Sequence, residues 1–205
     1  MQIIPAVNIP TKGGEKNFDI FSMLLNQRII YIIGEITEDL ASTIVSEILY
    51  LQALDDEEKI TIYISSPGGD VNAGLAIYDA IKASPCPVST IGIGLCASMG
   101  AVLLSSGTEG LRKAYPNCEI MIHQPLGTTN GQVSDLEIMT KRFLYLKHKL
   151  IKILSENSHQ SIEKVTKDCD RNFFLSSEEA KDYHLIDCIV SSISSNEKSF
   201  IPCNK

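Results

Sequence analysis

Short runs of β-branched and aliphatic residues alternate with stretches of helical periodicity along most of the chain. Four of these runs have the length of buried strands, namely residues 28–33 (RIIYII), 60–64, 88–93 and 119–123. Between them, apolar residues recur three and four positions apart in segments that begin near Thr37 and Val71, which indicates helices with one buried face. A third helix, of small residues, is predicted from about Ser98 to Ser105. Such alternation is typical of crossover helices that cover a largely parallel sheet, so the sequence predicts an α/β fold.

The longest predicted helix begins at Ser134 and continues to about Ser155. Ser134 and Glu137 have the spacing of a capping box, and an apolar stripe runs from Val133 to Ile153 with Lys and Arg between its members. One compact domain is too small to cover this stripe entirely. We therefore expect the helix to extend as an arm and to join copies of the chain in an oligomer.

The end of the chain predicts a short helix at residues 162–167, a second capping box at Ser176 and Glu179, and a closing strand at 186–190. A length of 205 residues, with a typical domain near ~150, predicts one domain over residues 1–192. Residues 193–205 have the biased polar composition of a disordered tail.

The overall charge of −7 and the lack of any run of basic residues argue against nucleic acid as a partner. The six cysteines lie at least ten positions apart, so no CxxC pair offers the usual zinc or redox spacing, and we expect no metal. Residues 83–108 carry no charge, but prolines and glycines interrupt them, and this favours a strand, turn and helix over a membrane span. The N-terminus lacks a signal-peptide pattern, which predicts a cytoplasmic protein.

Ser98 lies in the segment CASMG, between a predicted strand and a helix of small residues. A sharp turn there would hold its hydroxyl at the positive end of the helix, which is the placement of a nucleophile. A serine at a helix start is more commonly a structural N-cap, and Cys96 stands where a G-x-S-x-G motif has its first glycine.

His123 closes the next predicted strand, at the sheet edge where Ser98 is expected. A histidine alone at that place would more often cap the strand end. A Ser and a His at neighbouring strand ends together make a nucleophile and a general base. The turn Ser66-Pro67-Gly68-Gly69 allows backbone N–H groups to point toward a ligand as an oxyanion hole does, although a simple tight turn is the commoner explanation.

Four segments together closely resemble the proteolytic subunit of Clp protease, the ClpP family: SPGG at 66–69, ASMG at 97–100, MIHQP at 121–125 and FLS at 174–176. The resemblance extends from about Ile4 to Val190 with its spacing intact. It implies the ClpP/crotonase fold, a right-handed spiral of ββα units, with an N-terminal segment at 1–18. It further implies a protruding helix-strand handle at 126–155, whose strand is Gly127–Gln132.

The resemblance also implies the site. Ser98 would be the nucleophile of a serine-type endopeptidase, His123 the general base, and the backbone N–H groups of Gly69 and Met99 the oxyanion hole, without metal or organic cofactor. The third residue of the family's triad, an Asp, falls on Asn172. An amide can orient the imidazole but supplies no charge, and its NH2 group can favour the wrong tautomer. Asp168 and Asp170 lie nearby, but neither occupies the matching position.

The family implies protein substrates and two stacked seven-membered rings, a tetradecamer, in which Asp170 and Arg171 pair between rings. An ATP-driven AAA+ unfoldase would feed these rings by docking in apolar pockets on the ring face. The matching positions are Thr61, Tyr63, Ala83, Ile91, Ile93, Lys113 and Val190. Thr61, Ala83 and Lys113 lack the bulk or apolar character of an anchor pocket, so we expect poor docking.

The sequence thus predicts a ClpP-type serine endopeptidase subunit that cleaves unfolded proteins and is weakly active alone. An alternative is a structural or regulatory ring subunit that works beside an active ClpP paralogue. A third possibility, an acyl-CoA enzyme of the crotonase type, has no need of a Ser-His pair.

Overall fold

A computed structural model describes residues 5–11 and 14–190 of the chain. Over these residues the strands are β1 (Ala6–Thr11), β2 (Gly14–Asp19), β3 (Ile29–Ile33), β4 (Ile60–Ser66), β5 (Val88–Ala97), β6 (Arg112–Ala114), β7 (Glu119–Ile122), β8 (Phe173–Leu175) and β9 (Cys188–Ile189). The helices are α1 (Ile20–Leu25), α2 (Glu38–Leu54), α3 (Val71–Ala83), α4 (Met99–Ser105), α5 (Val133–Ser158), α6 (Ile162–Asp168) and α7 (Ser177–Asp182). The predicted α/β class is confirmed.

The main sheet has seven strands, of which β3, β4, β5, β6 and β9 are neighbours in that order and all parallel. Strand β7 pairs in parallel with β5, and β8 pairs antiparallel with β7. Strands β1 and β2 form a separate antiparallel pair. The sheet is therefore mostly parallel, as crossover helices require.

Strand β5 is longer than the sequence indicated because it changes neighbours along its length. Residues Thr90–Gly92 pair with β6, whereas Leu95–Ala97 pair with β7. Gly94 stands between these two parts with φ +67°, a conformation that glycine adopts without steric cost. This change of partner carries the end of β5 away from β6 and alongside β7, within the same sheet.

The core lies between the sheet and the helices α2, α3 and α4. Strands β3 and β4 each point alternate isoleucines into it, and every residue of α4 is buried. The N-cap expected at Thr37 is present, since its hydroxyl accepts from Leu40 N at 3.2 Å. The capping box of Ser176 and Glu179 is also confirmed, with both reciprocal hydrogen bonds formed.

The capping box predicted at Ser134 is wrong. Helix α5 begins one residue earlier, at Val133, because the Gln132 carbonyl already accepts from Leu136 N at 3.0 Å. Ser134 therefore lies inside the first turn, and the N-cap Gln132 makes no capping bond through its side chain. The helix also continues past Ser155 to Ser158.

The strand expected at Gly127–Gln132 is wrong as well, because no β-ladder forms there in the described chain. A strand needs a neighbouring edge with which to exchange hydrogen bonds, and the chain offers none at this place. Gly127 instead lies against the ring of Phe143, where a Cβ atom would overlap the ring. The closing strand is confined to Cys188–Ile189, and the predicted tail at 193–205 lies outside the described residues.

The apolar stripe of α5 divides into two halves with different surroundings. In the second half, Leu146, Leu150 and Ile153 are buried against the chain's own core. In the first half, Val133 is 73% exposed, whereas Leu136 and Phe143 are half-buried; Ile138, which lies off the stripe, is 63% exposed. The stripe is thus longer than its own domain covers, as predicted, and its cover is lost toward Val133.

Candidate active site

Ser98 occupies a strained turn between β5 and α4. Its backbone has φ 56° and ψ −122°, outside the regions that non-glycine residues normally adopt. Its N–H donates to the Met121 carbonyl at 2.8 Å, and Gly68 lies so close that a Cβ there would be 2.7 Å from the Cβ of Ser98. Ser98 is the N-cap residue of α4 yet makes no capping bond through its side chain. The hydroxyl is therefore directed to another partner, which the structural N-cap interpretation does not explain.

That partner is His123. The parallel pairing of Ala97 with Met121 brings the ends of β5 and β7 side by side, and His123 follows β7 directly. The distance between His123 Nε2 and Ser98 Oγ is 2.9 Å. This is within the reach that a general base needs to take a proton from a hydroxyl.

Asn172 lies beside the other nitrogen of the imidazole. The antiparallel ladder of β7 and β8 ends with the pair Ile122 and Phe173, so His123 and Asn172 are the next residues facing each other. Their side chains meet with Asn172 Oδ1 at 3.0 Å from His123 Nδ1. Because the amide oxygen can only accept, Nδ1 carries the hydrogen and Nε2 is left free to accept from Ser98. The amide is thus turned to favour the tautomer a general base requires, although it contributes no charge.

Neither nearby aspartate replaces Asn172. The carboxylate of Asp168 accepts from Lys164 Nζ at 2.8 Å and from the Tyr183 hydroxyl at 2.9 Å. Burial tends to raise the pKa of Asp168, but these two hydrogen bonds together with the charges of Lys164 and Lys167 outweigh burial, and the pKa is lowered. Asp170 contributes its backbone carbonyl to Gln124 rather than its carboxylate to His123. Both residues are excluded as the group that faces Nδ1.

The N–H groups of Gly69 and Met99 are available beside Ser98. Neither donates a hydrogen bond to another residue in the described part of the chain, and both residues line the same cleft as Ser98 and His123. Gly69 has φ +153°, and a Cβ there would overlap the carbonyl of Ile36. Only glycine fits this close approach, which turns the backbone toward the cleft. The pair has the arrangement of oxyanion donors.

The cleft has a volume of about 230 Å³. Apart from the candidate catalytic groups, its walls are mainly apolar: Pro67, Val71, Val102, Ile122, Pro125, Leu126, Leu150 and Leu154. Two of these, Leu150 and Leu154, belong to the buried half of α5. The cleft therefore offers an apolar side chain a place next to the Ser98 hydroxyl.

Sequence reasoning missed a pair of residues behind the site, Gln124 and Lys147. Lys147 Nζ donates to Gln124 Oε1 at 2.8 Å, and Gln124 Nε2 donates to the Asp170 carbonyl at 2.8 Å. The one available signal was the position of Gln124 directly after His123 in the segment MIHQP. Nothing in the local pattern of α5 separates Lys147 from its other lysines.

The described residues hold no group of three or more His, Cys, Asp or Glu side chains arranged to bind a metal ion. The cysteines at 86, 96, 118, 169 and 188 are free thiols. Burial raises the pKa of the Cys169 thiol to about 12, with the Asp168 charge adding to the effect, so this thiol is inert. None of the helices in residues 5–11 and 14–190 is both long and apolar enough to span a bilayer.

The comparison with protein families agrees with this fold and site. The family model described as Clp protease matches residues 12–193. Since that match covers most of the 205 residues, the chain belongs to the Clp protease family. Membership of this family makes it a ClpP-like peptidase in general terms.

Proposed function

We propose that this chain is a serine endopeptidase subunit of a self-compartmentalised Clp protease, with Ser98 as nucleophile and His123 as general base. The observation that carries the proposal is the continuous chain from Ser98 Oγ to His123 Nε2 at 2.9 Å and from His123 Nδ1 to Asn172 Oδ1 at 3.0 Å. Backbone strain at Ser98 supports it, because strain of this kind is concentrated at functional sites.

In the first half of the reaction, Ser98 Oγ attacks the carbonyl carbon of a peptide bond while His123 Nε2 takes its proton. The carbonyl oxygen becomes negatively charged, and the N–H groups of Gly69 and Met99 stabilise it. His123 then gives its proton to the departing amine as the C–N bond breaks. An acyl-enzyme on Ser98 remains.

In the second half, a water molecule attacks the acyl-enzyme while His123 Nε2 takes a proton from it. The same two N–H groups stabilise the second tetrahedral intermediate. His123 returns the proton to Ser98 Oγ as the ester bond breaks, which releases the carboxylate product.

Asn172 limits the rate of this catalytic cycle. In both halves the imidazole becomes positively charged, and an Asp at position 172 would stabilise that charge directly. The amide of Asn172 orients the ring but offers only a dipole, so we propose weak peptidase activity in the isolated protein.

Assembly into stacked heptameric rings is part of the proposal. It is supported by the first half of α5, where Val133, Ile138 and Leu144 are left exposed by the chain's own fold. Exposed apolar side chains clustered in one half of a helix are often covered by a partner. Asp170 and Arg171, both exposed, are the residues proposed to pair between rings.

Docking of an ATP-driven unfoldase is proposed for the outer face of the sheet. The register aligns Tyr63, Ile91 and Lys113 in one row across β4, β5 and β6. Tyr63 stacks on Tyr31 with ring centroids 5.1 Å apart, which supplies the aromatic part of a pocket. Lys113 places a charge at the other end of the row, and this supports the expectation of weak docking to this subunit.

A second candidate, a structural or regulatory ring subunit beside an active ClpP paralogue, is favoured by one observation, the neutral residue at position 172. Such a subunit would have the same fold and the same ring assembly but would not cleave peptides. The two candidates differ in whether Ser98 reacts.

Labelling with a fluorophosphonate probe separates them. We expect the probe to attach to Ser98 slowly in the purified protein, with the site identified by peptide mass spectrometry. Ser98→Ala is the control and should remain unlabelled while it keeps its fold, because the hydroxyl that it removes makes no capping bond to α4. A parent protein that stays unlabelled, alone and mixed with a paralogue, would exclude the enzyme in favour of the structural subunit.

A further inference from the structure

The β7–β8 ladder brings Asn172 close to His123, but its last pair comes one residue before them, so ladder hydrogen bonds do not fix their positions. Strands β7 and β8 pair from Ile120 and Leu175 to Ile122 and Phe173, and no ladder pair follows. His123 and Asn172 therefore lie just beyond the last pair. Asn172 is also exposed, so packing does little to fix its position.

Beyond the end of the ladder, Gln124 supplies the hydrogen bonds between the two segments. Its backbone N–H donates to the Cys169 carbonyl at 2.7 Å, and its side-chain Nε2 donates to the Asp170 carbonyl at 2.8 Å. These two bonds tie the residue after His123 to the loop that precedes Asn172. The imidazole and the amide thus lie between the ladder on one side and Gln124 on the other.

Lys147 determines which way the Gln124 amide points. An ammonium group can only donate, and Lys147 Nζ donates to Gln124 Oε1 at 2.8 Å. The oxygen is therefore held toward α5, and the NH2 group is left to face the Asp170 carbonyl. The bond between Lys147 and Gln124 is partly buried, which reduces competition from water for it.

We infer that Gln124, oriented by Lys147, is a positioning residue that holds Asn172 against His123 Nδ1 and so maintains the tautomer the peptidase needs. The inference rests on the proposed function, and it assigns α5 a second task. Besides exposing apolar side chains in its first half, this helix contacts Gln124, next to His123, through the side chain of Lys147. Because Asn172 has no charge with which to attract the imidazole, its alignment depends on hydrogen bonds from its surroundings.

The test is a double-mutant cycle in the full-length assembled protein, read by cleavage of a fluorogenic peptide. Gln124→Ala should lower kcat by about tenfold to a hundredfold with KM nearly unchanged, since a displacement of 1 Å or less has this cost. In an Asn172→Ala background the same change should cost less than about twofold, because the contact it serves is gone. An equal loss in both backgrounds would overturn the inference, since Gln124 would then act independently of Asn172.

Substitutions of Lys147 provide a second test, with a matched control on the same helix. Lys147→Met should lower kcat in the same direction, and Lys147→Arg should restore it because a guanidinium can also donate to Oε1. Lys152→Met is the matched control on the same helix, since Lys152 forms an exposed ion pair with Glu156, and it should leave kcat unchanged. Equal loss in Lys147→Met and Lys152→Met would contradict a role through Gln124.

A spectroscopic readout keeps the inference testable if cleavage is too slow to measure. With ¹⁵N-labelled histidine, and His123→Gln to assign the signal, the parent should show Nδ1 protonated and Nε2 unprotonated. Gln124→Ala should shift this signal toward a mixture of tautomers, and an unchanged signal would overturn the inference. Failure of the proposed function would appear separately, as a parent whose Ser98 is not labelled by fluorophosphonate.

Discussion

The two sides of the site are built in different ways. On the nucleophile side, Ser98 is flanked by a wholly buried helix and by Gly68, so packing of the core enforces its backbone. On the other side, Asn172 is exposed and is positioned by the end of one ladder and a few hydrogen bonds. The proposed nucleophile is therefore fixed by the fold itself, whereas the proposed third residue can be exchanged without disturbing the fold.

The largest expected loss of cleavage comes from breaking the nucleophile side with Gly68→Ala. A Cβ at this position would lie 2.7 Å from the Cβ of Ser98, at φ +98°, so the serine must move. We expect peptide cleavage to fall by about a hundredfold, the cost of a displacement near 1 Å.

Gly110→Ala is the matched control for this change. Gly110 also has a positive φ, +86°, but nothing lies within 4 Å of an added Cβ. It should lower stability by about 1 kcal/mol through backbone strain and leave cleavage per folded molecule unchanged. Equal losses of cleavage in the two variants would mean that strain alone, rather than contact with Ser98, determines the effect.

A smaller loss of cleavage is expected when the assembly proposed to support the Asn172 side of the site is disrupted. Ile138→Asp places a charge on the exposed half of α5, and we expect double rings to separate into smaller species with cleavage lowered about tenfold. Analytical ultracentrifugation measures the assembly. Leu146→Asp is the contrasting variant, since Leu146 is buried in the chain's own core and its replacement should prevent folding.

A parent protein that sediments as a monomer well above micromolar concentration would contradict this prediction. So would an Ile138→Asp variant that keeps the double ring. In either case the exposed stripe would need another explanation.

The smallest effect on cleavage is expected from Asp187→Asn, which lies on neither side of the site. Arg112 is buried and donates to Asp187 from its side chain and its backbone, with Arg112 Nη2 at 2.6 Å from Asp187 Oδ1. Loss of the carboxylate should destabilise the fold by about 2 kcal/mol in urea unfolding, because the guanidinium stays buried without its partner. Cleavage per folded molecule should not change.

The same pair predicts a dependence of stability on pH. Burial tends to raise the pKa of Asp187, but the hydrogen bonds and charge of Arg112 outweigh it and lower the pKa. A carboxyl whose pKa is lowered on folding stabilises the protein above its unfolded value and loses that contribution as pH falls through the folded value. The parent should lose stability from about pH 4 downward, and Asp187→Asn should lose less over that range. Parallel curves for the two proteins would contradict this assignment.

Much of the nucleophile side could be predicted from the sequence because it depends on local pattern. The end of a β-branched run followed by small residues indicated the turn at Ser98, and the Pro-Gly-Gly segment indicated a tight turn whose backbone N–H groups could face a ligand. The capping box of Ser176 and Glu179 was also predicted from the sequence and is confirmed. In each case the residues that determine the structure are neighbours in the sequence.

The remaining features depend on contacts between distant residues. The orientation of the Asn172 amide follows from the antiparallel register of β7 and β8, which the sequence does not display. The burial of Leu146 and Leu150 but not of Val133 depends on which half of α5 the core reaches. The helix start at Val133 required the Gln132 carbonyl bond, and the strand expected at 127–132 required a neighbouring edge that the chain does not supply.

We propose that Ser98 and His123 are aligned for catalysis and that the missing charge at position 172 limits the rate of cleavage. The decisive measurement is peptide cleavage by Asn172→Asp compared with the parent. Asn130→Asp, which adds the same charge at an exposed position, is the control. We predict that Asn172→Asp raises kcat by about 10² to 10⁴ with little change in stability, and that Ser98→Ala removes the gain. An Asn172→Asp protein that cleaves no faster than the parent would contradict the claim.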